Sequence, residues 1–208
     1  MSGLVSLVAG VALGLSLAAP PGPMNALIAQ ESVHRGWRAG FRAGLGAMTA
    51  DGCFFVLAYA GVVTFIRHAP TLQTAMKAVG GLLLCYFAYG AAKSAHEGVA
   101  DTEAGAGFRK TFLAALTNPI QVVWWLTAGI ALLDPGTVSA FGYTIAVTNG
   151  VLTVLGFFCG ILVWITGFPA LLRVAGDRVD AFERVVGYGS AAVLCIFGAW
   201  FLVDAVPS

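Results

Sequence analysis

Apolar residues run along this chain in six long blocks that are separated by polar connections. A helix needs about 20 mostly apolar residues to cross a bilayer, and each block reaches that length. The pattern predicts six membrane-spanning helices, at roughly Leu4–Ala29, Leu45–Ile66, Leu72–Ala92, Thr111–Leu133, Phe141–Thr166 and Val185–Val206. One longer, glycine-rich polar connection separates the first three spans from the last three.

Proline interrupts the first and the fourth of these spans, at Pro20-Pro21-Gly22-Pro23 and at Asn118-Pro119. Proline removes a helix N–H group and clashes with the preceding turn, so neither helix can run through. Pro23 and Pro119 suit the first position of a new helix, and Asn118 can cap one. Broken backbone at membrane depth persists where it is buried in protein or lines a cavity. The breaks are therefore the first candidate site, with kinks that only shape helix packing as the alternative.

The long connection has three predicted spans on each side. Because three is an odd number, two homologous halves would have opposite orientations in the membrane, as in the inverted repeats of many transporters. The paired breaks support this, as does the recurrence of Leu84-Cys85-Tyr86-Phe87 as Leu194-Cys195-Ile196-Phe197. We therefore interpret residues 1–208 as one all-α membrane domain, with repeats at about 1–93 and 111–208 and a linker at 94–110. Glycines at four-residue spacing would allow a homodimer without requiring one.

Composition and charge support a membrane protein and give its orientation. The chain is 59% apolar and 10% charged, against about 25% charged in a soluble domain, and it has no basic arm to bind nucleic acid. Cytoplasmic loops carry the excess of lysine and arginine, and only Arg67 and Lys77 lie on the sparse side. The other nine are Arg35, Arg38, Arg42, Lys93, Arg109, Lys110, Arg173, Arg178 and Arg184. We expect a multi-pass protein of the inner or plasma membrane, with a cytoplasmic linker and both termini outside the cytoplasm.

Asp51 is the one acid well inside a predicted span. A carboxylate there costs about 2.5–3.5 kcal/mol on insertion scales and is usually kept for a task, such as binding an ammonium group or carrying a coupling proton. The alternative is hydration near the cytoplasmic end, since Asp51 lies only about 10 Å along a helix from Leu45. The half-helix N-termini favour an anion such as a carboxylate.

The sequence gives little support for metal, disulfide or hydrolytic chemistry. The four cysteines form no Cys-x-x-Cys pair, and His34, His68 and His96 share no ligand spacing, so neither a disulfide, a metal site nor a cofactor is indicated. Hydrolase motifs and phosphate-binding glycine loops are absent from the sequence as well. We therefore expect a protein that is not an enzyme and that uses an ion gradient.

The residues at the breaks and on the second span resemble those of the LysE/RhtB amino-acid exporters. The features that carry the resemblance are Pro21-Gly22-Pro23, Gly36-Trp37-Arg38-Ala39-Gly40-Phe41-Arg42-Ala43-Gly44, Gly46, Asp51-Gly52, Gly61 and Phe112-Leu113-Ala114-Ala115-Leu116-Thr117-Asn118-Pro119. The resemblance implies secondary export of an amino acid or derivative, by proton antiport. It carries Pro21, Gly22, Pro23, Asp51, Asn118 and Pro119 over as the functional core. Pro20 and Ile120 depart from the Asn and Lys usual in the family, which points to a less polar or neutral substrate.

Our hypothesis is a six-span exporter whose substrate is a small molecule and whose coupling ion is the proton. Asp51 meets the amine or the proton, and the expected substrate-binding residues are Pro21, Gly22, Pro23, Met24, Asn25, Asn118, Pro119 and Gln121. Backbone N–H groups or side-chain amides would bind the substrate carboxylate. The alternatives are export of another small solute or a metal ion, a transmembrane redox conduit, and a membrane scaffold without transport.

Overall fold

The computed structural model describes residues 2–61, 69–97, 106–126, 137–140, 143–146, 150–176 and 182–206. Most of these residues belong to helices of very different lengths. In chain order the elements are α1 (Ser2–Ala18), α2 (Pro23–Arg35), α3 (Trp37–Tyr59), α4 (Pro70–Glu97), α5 (Ala106–Leu116), α6 (Pro119–Leu126), β1 (Thr137–Ala140), β2 (Tyr143–Ala146), α7 (Gly150–Gly176) and α8 (Phe182–Asp204).

Four of the described helices, α3, α4, α7 and α8, are long and apolar enough to cross a membrane, and the bent pair α1 and α2 makes up to five. The fourth predicted span corresponds to α5 and α6, and its end at 127–133 lies outside the described residues. The six-span count therefore stays a prediction. Residues 62–66 of the second predicted span, 141–142 and 147–149 of the fifth, and 98–105 of the linker lie outside as well.

Several helix boundaries and one element differ from the sequence prediction, and the starts of two helices differ by eight and nine residues. The second helix begins at Trp37 instead of Leu45, and the fifth begins at Gly150 instead of Phe141. Before it, β1 and β2 form an antiparallel hairpin that pairs Thr137 with Ala146. Short runs that contain β-branched residues and tyrosine favour strands. The all-helical prediction therefore holds for the described elements apart from this hairpin.

Both predicted helix breaks are present. The axes of α1 and α2 meet at 81° across residues 19–22, and Gly22 between them has extended backbone, with φ −178°. In the second half, α5 ends at Leu116 and α6 begins at Pro119. The prolines therefore end one helix and open the next, as their missing N–H groups require.

Glycines bring α1 and α7 into close contact along much of their length. A Cβ atom added at Gly10 or Gly14 would collide with the α7 backbone at Thr153 or Phe157, and one at Gly156 would collide with α1 at Leu7. Small residues of this kind allow two helix backbones to approach. Residue numbers rise together along the contact, so α1 and α7 run parallel.

The remaining contacts fix the directions of the other long helices. The Thr111 hydroxyl of α5 donates to the Ala43 carbonyl of α3, and later residues of α6 contact later residues of α3, so this pair is parallel. The start of α3 meets the end of α7, where the Trp37 indole donates to the Thr166 carbonyl at 2.9 Å. Helices α3 and α7 are thus antiparallel.

Helix α2 lies at the centre of the packing. Its Ile28 belongs to a buried cluster with Trp125 and Phe157, and the adjacent Leu27 belongs to a second cluster with Leu194. Helices α4 and α8 pack antiparallel beside it, and Lys77 near the start of α4 pairs with Asp204 at the end of α8 at 2.6 Å. Both faces of α2 are therefore covered by protein. Its N-terminus, next to the break, is where a cavity can form.

Candidate functional site

A cavity of about 130 Å³ lies where the two helix breaks meet α3, α7 and α8. Its lining includes the sequence-predicted site residues Pro21, Gly22, Pro23, Met24, Asn25, Asp51, Asn118 and Gln121. Pro119 is the first residue of α6, and its side chain lies outside the described part of the structure. The lining residues are Leu17, Ala18, Pro20, Pro21, Gly22, Pro23, Met24, Asn25, Ile28, Ala47, Asp51, Asn118, Ile120, Gln121, Ile161, Trp164, Ile165 and Phe197. Residues as far apart in the chain as Leu17 and Phe197 therefore share one cavity.

The N-terminus of α2 opens onto this cavity without a side-chain cap. Gly22 is the N-cap residue, and the first hydrogen bond of the helix runs from the Ala26 N–H to the Gly22 carbonyl at 3.0 Å. The N–H groups of Met24 and Asn25 therefore have no acceptor within the helix, and Pro23 has no N–H group at all. The positive end of the helix dipole and two backbone donors remain here for an anion.

The side chain of Asn25 holds the break in shape. Its Nδ2 atom donates to the carbonyls of Ala18 and Pro20, both at 2.8 Å. Its Oδ1 atom accepts the indole N–H of Trp164 at 3.0 Å. Because this amide is engaged, donors for a ligand at the end of α2 come from the backbone.

The N-terminus of α6 differs, because its own N-cap residue occupies its donors. The Oδ1 atom of Asn118 accepts the Ile120 N–H at 3.0 Å, and the Asn118 carbonyl accepts the N–H groups of Gln121 and Val122 at 3.1 and 3.2 Å. Asn118 caps the helix as the sequence predicts. The two breaks are consequently not equivalent as anion sites, since only α2 keeps free donors in its first turn.

Asp51 lines the same cavity and is buried to 4% exposure. Its Oδ1 atom accepts two hydrogen bonds, from Gln121 Nε2 at 2.6 Å and from Trp125 Nε1 at 3.0 Å. Within the described part of the chain, no cationic side chain pairs with it. Asp51 lies fourteen residues after Trp37, about 21 Å along the helix, so it is well inside α3.

A family model for LysE type translocators matches residues 15–205 of the chain. The chain belongs to this family. It is 32% identical to the "Putative amino acid efflux protein YcgF" of Bacillus subtilis over 200 residues, which are 92% of each chain. It is also 32% identical to a leucine efflux protein of Salmonella typhimurium over 122 residues, or 55% of this chain and 57% of that protein. No solved structure matches the chain.

These findings establish a translocator of a membrane transport family whose named relatives include amino acid efflux proteins. Several apolar helices of spanning length agree with a multi-pass membrane protein. The family is one of transporters, in agreement with the expectation that the chain is not an enzyme. Among the described residues no group of three or more His, Cys, Asp and Glu side chains could hold a metal ion, and the four cysteines are free.

Sequence reasoning missed several residues of the translocator's cavity. Trp164 lines the cavity and donates its indole N–H group to Asn25, and Trp125 donates its indole N–H group to Asp51. Trp125 lies one helical turn after Gln121, and this i, i+4 spacing indicates that both reach the same neighbour. No comparable signal in the sequence marks Trp164.

A buried acid outside the cavity was also missed. Glu31 of α2 is 5% exposed and pairs with Arg35 at 3.3 Å and with Lys110 of α5 at 3.5 Å. A Cβ atom at Gly107 would press against the Glu31 carboxyl group, so α5 packs directly on this pair. Glu31 therefore ties α2 of the first half to α5 of the second.

Proposed function

We propose that this translocator exports a zwitterionic amino acid, or a derivative that keeps both charged groups, from the cytoplasm in exchange for protons. The observation that carries the proposal is that a helix N-terminus with free donors and a buried acid line the same cavity. The uncapped N-terminus of α2 offers donors to a carboxylate, and Asp51 offers a buried negative charge to an ammonium group. A zwitterion satisfies both walls at once.

The proposal gives the substrate a direction in the cavity. Its carboxylate accepts the N–H groups of Met24 and Asn25, and its ammonium group faces Asp51. Gln121 and Trp125 both bond the Oδ1 atom of Asp51, which fixes the carboxylate and leaves its other oxygen for the ligand. Pro21 and Pro23 contribute no donors and set the backbone geometry.

The rest of the lining supports a substrate with a neutral, apolar side chain. Leu17, Ile28, Ile161, Ile165 and Phe197 contribute hydrocarbon to the walls. Pro20 and Ile120, which depart from the usual Asn and Lys of the family, line the same cavity. The name of the leucine efflux relative agrees with this class of substrate.

We also propose that the translocator is built from two inverted repeats. The support is the matching set of contacts: α1 packs parallel to α7, α5 packs parallel to α3, and the two pairs are antiparallel to each other. Each half also has an amide two residues after its helix-opening proline. Asn25 bonds Trp164 on α7, and Gln121 bonds Asp51 on α3.

The proposed orientation has both termini outside the cytoplasm of a cell membrane. It is supported by basic residues at matching helix ends, with Arg35 ending α2, Lys110 near the start of α5, Arg173 in the last turn of α7 and Arg184 near the start of α8. Arg67 and Arg178 lie outside the described residues. Cytoplasmic loops carry such an excess.

Proton antiport is proposed because Asp51 can hold either an ammonium group or a proton, and the two compete for the same oxygen. A carboxylate alternately occupied by substrate and proton is sufficient to exchange them. Such intramembrane acids commonly serve as proton relays in transporters. The family's usual mode of export agrees with this step.

Efflux from proteoliposomes loaded with a panel of labelled amino acids, with and without a pH gradient, tests the function. We expect gradient-dependent export of neutral, apolar amino acids, reduced strongly in Pro23→Ala and Asn118→Ala. Pro70→Ala is the matched control, because Pro70 also opens a helix but does not line the cavity. Export of no amino acid in the panel would refute the proposal and favour another small solute or a metal ion.

A further inference from the structure

A second cavity of about 280 Å³ lies beside the first, between the α1–α2 break, α7 and α8. Four residues line both cavities and form the boundary between them: Pro21, Gly22, Asn25 and Trp164. The other lining residues of the second cavity are Ala19, Ala26, Phe168, Ser190 and Val193. The proposed binding site thus has a neighbouring chamber with which it shares a wall.

One side-chain contact joins two of these boundary residues. The Trp164 indole donates to Asn25 Oδ1 at 3.0 Å, and its ring stacks on Phe168 with centroids 5.2 Å apart and planes at 10°. Asn25 is itself anchored by its bonds to Ala18 and Pro20, so the indole is the part that can move without unfolding the break. Rotation of one side chain would join the two chambers.

Gly22 contributes only backbone to this wall. A Cβ atom at this residue would meet nothing within 4 Å, and its extended backbone, with φ −178°, is one that any residue adopts. A larger side chain at this position would occupy the space between the chambers without a clash at its base.

The second cavity lies toward one end of the helices. Phe168 follows Trp164 by one helical turn, about 6 Å, in the direction of Arg173. Ser190 lies in the first third of α8, which begins near Arg184. That end is the one with excess basic residues, which the proposed orientation assigns to the cytoplasm.

We propose that the second cavity is the vestibule through which substrate reaches the binding site from the cytoplasm, and that Trp164 is the gate between them. The identity of the substrate and the cytoplasmic side of the route rest on the proposed function, but the gate between the cavities does not. The vestibule holds the same zwitterion in transit, with its apolar side chain against Phe168 and Val193. The gate opens when the indole leaves Asn25.

Thiol labelling tests the gate without any substrate. In a chain whose four cysteines are replaced by alanine, Ser190→Cys reports the vestibule and Ala47→Cys reports the inner cavity. An impermeant thiol reagent is added to the cytoplasmic face of membrane vesicles. Both side chains are buried, at 5% exposure for Ser190 and 9% for Ala47, so the difference between them is the gate. We expect Ser190→Cys to react faster than Ala47→Cys, because only the path to Ala47 crosses the gate.

Adding Trp164→Phe keeps an aromatic ring but removes its hydrogen bond to Asn25. Loss of a bond of net 0.5–1.5 kcal/mol corresponds to about 2- to 13-fold, so labelling of Ala47→Cys should accelerate by this factor. Labelling of Ser190→Cys should change less than about twofold. The proposed gate is refuted if both cysteines are labelled at equal rates in the presence of Trp164. It is also refuted if Trp164→Phe leaves the labelling rate of Ala47→Cys unchanged. Reaction of Ser190→Cys from the opposite face alone overturns the vestibule.

A plug at Gly22 provides a second test. Gly22→Phe should slow labelling of Ala47→Cys at least about tenfold, whereas Gly167→Phe should not. Gly167 is the matched control, since its added Cβ also meets nothing and it lines neither cavity. Unchanged labelling with Gly22→Phe refutes the route. Because these results need no transported molecule, they stand or fall separately from amino-acid export.

Discussion

Replacing Asp51 with asparagine separates its charge from its shape. The amide of an Asp51→Asn variant has almost the same volume, and its oxygen can still accept the N–H groups of Gln121 and Trp125. What disappears is the negative charge, which in the 4% exposed side chain is poorly screened by water. The substitution therefore tests the proposed role of the charge while the hydrogen-bonded framework persists.

The structure gives the expected size of the effect. A hydrogen bond to a charged group contributes about 1.5–3 kcal/mol, and about 1.4 kcal/mol corresponds to a factor of ten. Losing this contact to the substrate ammonium should therefore raise KM, or lower gradient-driven efflux, by about 10- to 150-fold. Stability should change little, because the weaker hydrogen bonds of Asn, about 1 kcal/mol each, are offset by the smaller cost of burying a neutral group.

Efflux from proteoliposomes and thermal unfolding in detergent measure the two quantities. Asp204→Asn is the matched control, since Asp204 is an exposed acid at the end of α8 that pairs with Lys77. It should leave efflux and Tm unchanged within error. Export by Asp51→Asn at the normal rate under a proton gradient would refute the role of Asp51, and a large fall in its Tm would refute the argument about the cost of burial.

Three further substitutions test other parts of the structure. Gly22→Asn adds a side-chain cap that competes with the substrate carboxylate, so the KM for export should rise several-fold, and a lower KM would contradict this. The Tm should be unchanged or slightly higher, because Asn stabilises a helix at the N-cap position by a few tenths of a kcal/mol more than Gly does. Gly10→Ala should destabilise the protein by about 1–3 kcal/mol through its clash with α7, whereas Gly90→Ala, with open space around it, should not; equal Tm values exclude this. Glu31→Gln should lower the free energy of unfolding by about 1–3 kcal/mol. The loss is smaller than for a fully buried ion pair, because the two cations that pair with Glu31 are partly exposed. The loss should exceed that of Asp204→Asn in the same unfolding assay, and equal effects of the two substitutions would contradict this prediction.

The breaks could be predicted from the sequence because proline acts locally. Pro23 and Pro119 each lack an N–H group and obstruct the preceding turn whatever surrounds them, and both open helices in the structure. The start of α3 could not be predicted from hydropathy, because Arg38 and Arg42 suggested a loop. Gly36, at φ +81°, turns the chain within one residue, a conformation that favours glycine, so α3 follows α2 directly.

The site was only partly predictable for a related reason. The residues that line the breaks could be predicted because they lie beside the prolines in the sequence. Asp51 could be predicted because a charge in an apolar span is costly. Its contact with Gln121 joins residues 70 positions apart, and that of Asn25 with Trp164 joins residues 139 apart. Pairings of this kind depend on the register in which helices pack, which no local pattern records.

Differences between the two halves explain how a repeated scaffold could recognise a zwitterion. With identical halves, the two half-helix N-termini would offer two positive ends, which suits a dianion. Here Asn118 caps α6 and occupies its donors, whereas Gly22 leaves those of α2 free. The amide two residues after each helix-opening proline bonds a residue of the other half. Asn25 bonds the neutral Trp164, whereas Gln121 bonds the acid Asp51. If the halves are the inverted repeats proposed above, these two differences would give the cavity one positive and one negative group, and this polarity would orient an amino acid before it is moved.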